Sequence, residues 1–213
     1  MRHGRTAWNA AQRFQGRTDV PLSEEGRAQA RAVAEKVLDL HFDRAYASDL
    51  SRALETAQII VRTHEVPIAI DARLREFDFG AWEGLTWPQI EERFPQLRGA
   101  VRTTASAYAP QGGESFAQVR ERVRAFLDDV RALDGCALVV THAGVLHAVF
   151  AELAEHFEMS TPVEHLNFAP ASITRIVLEG TRARLVTFNE VAADTRDRDR
   201  DAHTTRHARG SRG

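Results

Sequence analysis

Hydrophobic positions switch between helical and strand spacing along most of the chain. Ala30, Val33, Ala34, Val37 and Leu38 recur every three or four residues, the spacing of one helix face. Ser23 stands before them as an N-cap, with Gly26 at the capping-box position that Glu or Gln fills best. Residues 42–47 read as a short strand. Ala53, Leu54, Ala57, Ile60 and Val61 mark a helix over 51–63, and Pro67 precedes a small strand at 68–70. Residues 87–94 suit a short helix, and Gln111-Gly112-Gly113 is a turn. Phe116, Val119, Val123, Phe126, Leu127 and Val130 predict an amphipathic helix over 115–133. Residues 136–141 form a continuous apolar run, which predicts a strand buried on both faces. A helix follows over 145–156. Residues 172–178 and 183–188, split by Glu179-Gly180, read as a hairpin.

This alternation predicts an α/β three-layer sandwich, with a mostly parallel central sheet flanked by helices. At 213 residues the chain fits one domain, placed at 1–191. Residues 192–213 carry alternating Asp and Arg and almost no apolar side chain, the composition of a disordered charged tail.

A net charge of −2 excludes bulk electrostatic attraction to nucleic acid or to an anionic membrane. No apolar run approaches the ~20 residues of a membrane span, and no signal peptide opens the chain. A single cysteine, Cys136, excludes an internal disulfide and suits a reducing cytoplasm. Its apolar neighbours predict a core filler. Lys36 is the only lysine, so individual arginines carry little information except by position.

Five separated segments look chemical: Arg2-His3-Gly4-Arg5-Thr6 with Asn9, Gln15 and Gly16; Ser48 to Ala57 around Arg52; Leu74-Arg75-Glu76-Phe77 continuing to Gly84; Gly112-Gly113-Glu114-Ser115; and Thr141-His142-Ala143-Gly144. An Arg-His-Gly triplet suits phosphoryl transfer, with an imidazole to accept the group and a guanidinium to hold its oxygens. Each segment alone has a plainer reading. Arg52 on a helix is ordinarily solvated or ion-paired, and His142 at a strand end is ordinarily structural. Open α/β sheets bind ligands at the carboxyl ends of parallel strands, however. Glu76 competes with Asp78, which suits a turn cap, and with Glu83, which suits orienting an arginine. Trp82 and Trp87 read as exposed aromatics of a pocket or an interface, leaving a homodimer open.

Taken in order, the five segments resemble the histidine phosphatase superfamily, the group that includes cofactor-dependent phosphoglycerate mutase, over residues 2–190. The resemblance implies that His3 is the nucleophile forming a phosphohistidine. It implies that Arg2, Arg52, Asn9 and His142 hold the phosphoryl group, with Gln15, Gly16 and Ala143 beside them. Glu76 matches the proton donor and acceptor. The implied activity is metal-independent and cofactor-independent hydrolysis of small phosphomonoesters, with a small phosphorylated metabolite as partner. A mutase and an inactive or binding member are the alternatives. Arg5 stands where many members have Glu or Gln. Ala143 replaces the Gly-Asn usual after the histidine in mutases, and the segment between Glu76 and Gly112 is short. Substrate choice falls to residues 77–115. Members also carry an apolar strand before the triplet, so its absence here predicts a fraying end, a charged α-amino group beside Arg2, and a reading frame started late.

Overall fold

Strand alternation divides the core into two layers of side chains. In the computed structural model, which describes residues 1–97, 109–157 and 161–192, β1 (Arg44–Ala47) lies between β2 (Ile68–Ile70) and β3 (Ala137–Val140), all parallel. Ala45, Ala47, Leu138 and Val140 point into one core, shared with α2 (Glu24–Lys36) and α3 (Ser51–Val61). Tyr46 and Val139 point into the other, shared with α5 (Phe116–Arg131) and α6 (Ala143–Leu153). Side chains two apart along a strand share a face, so these four helices form the outer layers of a sandwich. A hairpin of β4 (Ile173–Glu179) and β5 (Arg182–Glu190) continues beyond β3.

Local chemistry sets the helix starts. Ser23 Oγ accepts from Gly26 N–H, and Ser115 forms a reciprocal capping box with Gln118. Gly26 lies against Arg5: a Cβ there would collide with the Arg5 carbonyl oxygen. Close approach of two segments, rather than capping, therefore decides that position. The predicted helices and strands appear, most of them trimmed at one or both ends. The four-residue α1 (Ala7–Ala10) and its Thr6–Asn9 capping box were not foreseen, and the 87–94 prediction becomes α4 (Trp87–Arg93).

Four expectations are corrected. Cys136 is exposed, because it sits in the turn before β3, where its N–H donates to Asp43 Oδ2. Leu38 lies past the end of α2 and is exposed. Trp82 is buried with Phe14, Phe79 and Ile90, and Trp87 is half-buried against it. That removes the aromatic pair as a sign of a dimer interface. β3 is fully buried only at alternate residues, since Val139 borders a cavity. The predicted tail from residue 193 onward lies outside the described residues.

The amino terminus is also unlike its expectation. Residues 1–3 run along the edge of β3 as a parallel ladder: Met1 N donates to Val139 O (2.7 Å), Thr141 N to Met1 O (3.0 Å) and His3 N to Thr141 O (2.9 Å). On the other side Arg2 N donates to Ser172 O, and Ala171 N to His3 O. Met1 is buried, and burial pushes its α-amino group down to about 5. Backbone hydrogen bonds therefore hold the end on both sides, and burial favours its uncharged amine near neutral pH.

Candidate active site

His3 is set by its strand position and by one hydrogen bond. Its ring is buried, and Nδ1 lies 2.7 Å from the Gly4 carbonyl oxygen. A carbonyl only accepts, so Nδ1 carries the proton and Nε2 holds the free lone pair. Gly4 must be glycine here: a Cβ would meet Gly26 O at 2.5 Å. Its N–H donates to Thr56 Oγ1, which in turn donates to the Arg52 carbonyl. The triplet is thereby fixed to α3.

His142 follows β3 as the N-cap residue of α6. Its ring lies 5.1 Å from that of His3, tilted by 59°. It is fully buried, and neither ring nitrogen has a hydrogen-bond partner in the protein. Burial first, then the Arg2 and Arg52 charges, hold His3 well below the usual imidazole range. The same forces act on His142, so both rings are neutral near pH 7.

Two guanidinium groups accompany the rings. Arg52 is fully buried; its terminal nitrogens donate to Thr18 O (2.9 Å) and Gly16 O (2.6 Å), while Nε has no protein partner. Arg2 donates to Phe168 O (2.5 Å), and its Nε is likewise buried and unpartnered. Burial lowers both from the ordinary arginine value, and the nearby Glu76 carboxylate opposes that shift. Buried donors normally find acceptors. A group of unpaired nitrogens around His3 and His142 is therefore suited to an anion with several oxygens.

Glu76 is held from two sides. Its Oε1 accepts from Phe77 N (2.9 Å) and Gly144 N (3.0 Å). Thr141 Oγ1 donates to Leu74 O, and Arg122 donates to Arg73 O and Glu76 O while pairing with Glu114. The segment bearing Glu76 is thus tied to β3 and to α5.

Gln15 is buried and accepts from Thr6 Oγ1, and Gly16 supplies the carbonyl that holds Arg52. Asn9 commits its Oδ1 to Thr6 N and Oγ1, which leaves Nδ2 as its donor. Ala143 begins α6, and its carbonyl meets His147 Nδ1. Asp78 caps Gly80, as its turn reading foresaw, and Arg5 pairs with Glu25. At the rim Arg17 pairs with Asp78 and Glu114, and Arg75 with Asp49.

Arg122 escaped the sequence reading, because an arginine among many on an amphipathic helix has no local mark. Glu83 was read as orienting an arginine, and it does so indirectly. Its carboxylate accepts from Arg17 N, Thr18 N, Thr18 Oγ1 and Phe79 N. It therefore holds the very loop whose carbonyls hold Arg52.

Beyond the ends of the parallel strands lie two buried histidines, the buried Arg52, the half-buried Arg2 and a carboxylate. The chain belongs to the histidine phosphatase superfamily (branch 1), whose profile matches residues 1–191. It is 36% identical to the glucosyl-3-phosphoglycerate phosphatase of Mycolicibacterium vanbaalenii over 72% of each chain. It is 32% identical to phosphoserine phosphatase 1 of Hydrogenobacter thermophilus, over 72% of this chain and 74% of that one. Among solved structures, mycobacterial glucosyl-3-phosphoglycerate phosphatase complexed with VO3 superposes with a TM-score of 0.77 at 34% identity, covering 88% of this chain and 96% of that one. No helix among the described residues is long and apolar enough to cross a membrane.

Proposed function

We propose that the chain hydrolyses small phosphomonoesters through a phosphohistidine on His3. The observation that carries this reading is the pair of buried rings 5.1 Å apart, flanked by Arg2 and Arg52 with unpaired nitrogens. His3 Nε2 attacks phosphorus; an N–P bond forms as the ester P–O bond breaks. Arg2, Arg52 and His142 hold the phosphoryl oxygens, with Asn9 Nδ2 as a further donor. Most of the acceleration comes from this positioning and charge stabilisation.

Glu76, in its carboxylic form, gives its proton to the leaving oxygen. As carboxylate it then takes a proton from the water that attacks phosphorus, and the N–P bond breaks to give inorganic phosphate and free His3. The two N–H donors on Oε1 fix the carboxyl group without occupying Oε2. The substrate's remaining part meets the charged rim of Arg17, Asp78 and Glu114. The similarity to phosphatases of a phosphoglycerate derivative and of phosphoserine favours small phosphorylated metabolites bearing a carboxylate. The composition suits a cytoplasmic enzyme.

A panel of phosphomonoesters, assayed for phosphate release with the wild type and His3→Ala, tests the proposal. Release by the wild type and its loss in His3→Ala are expected. Activity that survives His3→Ala would contradict the nucleophile.

A further inference from the structure

His147 is a histidine that the proposed chemistry leaves unused. It lies one helical turn after Ala143 in α6, half-buried, with both ring nitrogens on backbone oxygens. Nδ1 is 3.0 Å from Ala143 O, and Nε2 is 2.9 Å from Leu166 O. A carbonyl only accepts, so a ring with one proton donates to one of the two. The Ala143 contact stays within the helix. The Leu166 contact leaves it and reaches a segment 19 residues further along the chain. That tie calls for the proton on Nε2.

The segment it reaches carries the anchor of Arg2. Residues 166–169 run irregularly between the short turn Val163–His165 and β4. Two residues after Leu166, the Phe168 carbonyl accepts from Arg2 Nη1. The Phe168 ring is buried against Phe150 and Phe188, and it meets the His147 ring edge-on, with centroids 5.0 Å apart and planes at 87°. His147 therefore holds the segment twice, through the Leu166 backbone and through the Phe168 side chain. From β5, Asn189 Oδ1 accepts from Ala169 N at 2.8 Å. The Phe168 carbonyl is thus fixed between a tie to α6 and a tie to β5. A long, flexible side chain loses much rotamer freedom when it is aimed, and a planar guanidinium held at one nitrogen has its other donors oriented as well. For Arg2 those donors include the buried, unpartnered Nε.

We propose that His147 is a positioning residue for Arg2: its Nε2–H on Leu166 O and its ring against Phe168 fix the carbonyl that aims the guanidinium at the phosphoryl group. The proposal rests on the reading that Arg2 holds that group. It gives the first turns of α6 three connections to the site. His142 stands at the N-cap, Gly144 N holds Glu76 Oε1, and His147 reaches Arg2 through residues 166–168. A small misplacement of a group that aims at a reacting centre lowers the rate even when the displaced contact is remote from the chemistry.

The test places His147→Phe, His147→Asn and His147→Gln in the intact chain, each with Arg2 present and with Arg2→Ala, and follows hydrolysis of para-nitrophenyl phosphate. Asparagine keeps a donor near the Nδ1 position, glutamine one near the Nε2 position, and phenylalanine keeps only the ring. With Arg2 present, kcat/KM is expected to fall roughly 10- to 100-fold for Phe and Asn, and Gln is expected to recover most of the loss. With Arg2→Ala, the three substitutions are expected to make no further difference, because they act through the missing guanidinium. Thermal melting follows folding in parallel; should the Phe variant fail to fold, the Asn and Gln pair decides. Equal activity of the Asn and Gln variants, or a loss that adds in full to that of Arg2→Ala, would overturn the proposal and leave the reading of Arg2 standing. An Arg2→Ala chain as active as the wild type would overturn both.

Discussion

Two carboxylates near the histidine and arginine cluster owe their placement to glycines. A Cβ on Gly144 would meet Glu76 Oε1 at 2.5 Å, and one on Gly16 would collide with Glu83 Oε1. Gly16 also has φ +55°, a conformation that favours glycine. Glu83 touches neither histidine; its effect passes through residues 16–18 to Arg52. Glu83→Ala is expected to release that loop and lower kcat/KM by roughly 10- to 100-fold, about 1.4–2.7 kcal/mol of transition-state stabilisation. Glu83→Gln keeps one acceptor oxygen and should recover part of the loss. Steady-state kinetics of the two variants check this; an Ala variant as active as wild type would show that Arg52 needs no such support. The sequence could name Glu83 as an arginine's partner because the residue types match. It could not show that the link runs through backbone N–H groups, which leave no mark in side-chain identity.

Among the elements, the contact of α2 with residues 4–5 matters most for the site, since it presses the triplet against α3. Gly26→Ala sets two effects in opposition. Helix propensity favours alanine by about 1 kcal/mol, whereas overpacking against the Arg5 carbonyl costs about 1–3 kcal/mol or more. Because backbone is the obstacle, the second effect wins, and a lower melting temperature and lower activity are expected. An unchanged or higher melting temperature would show that α2 shifts freely. Most elements were legible because their apolar periodicities are long: α2, α3 and α5 keep the i, i+3/i+4 pattern over two or more turns. α1 was not, since four residues hold no period. The continuous run at 136–141 fixed a strand yet misplaced Cys136, because an apolar run does not say where a turn ends. Trp82 was misread for a related reason. Its burial depends on Phe14, which is remote in sequence, as well as on Ile90.

For the molecule as a whole, burying the α-amino group and two imidazoles makes stability depend on pH with a definite sign. The α-amino group falls from an ordinary value near 8 to about 5 on folding, and His3 and His142 fall well below 6.5. Between about 5 and 8 the unfolded chain therefore binds more protons, so stability rises with pH across this window and is lost as pH falls. Chemical denaturation at several pH values is expected to show this rise. Acetylating the terminus should flatten its upper part, above about 6.5, where the histidines contribute little. A pH-independent stability would mean that neither the terminus nor the two imidazoles are held uncharged by folding. The proposed chemistry calls for the same neutral rings, because only an unprotonated His3 Nε2 can attack phosphorus. The most direct measurement is to mix the enzyme with a phosphomonoester, quench in alkali, which preserves phosphohistidine, and locate the phosphoryl group by peptide mass spectrometry. Label on His3, absent in His3→Ala, is the predicted result; continued phosphate release with label elsewhere, or with none on the enzyme, would contradict it.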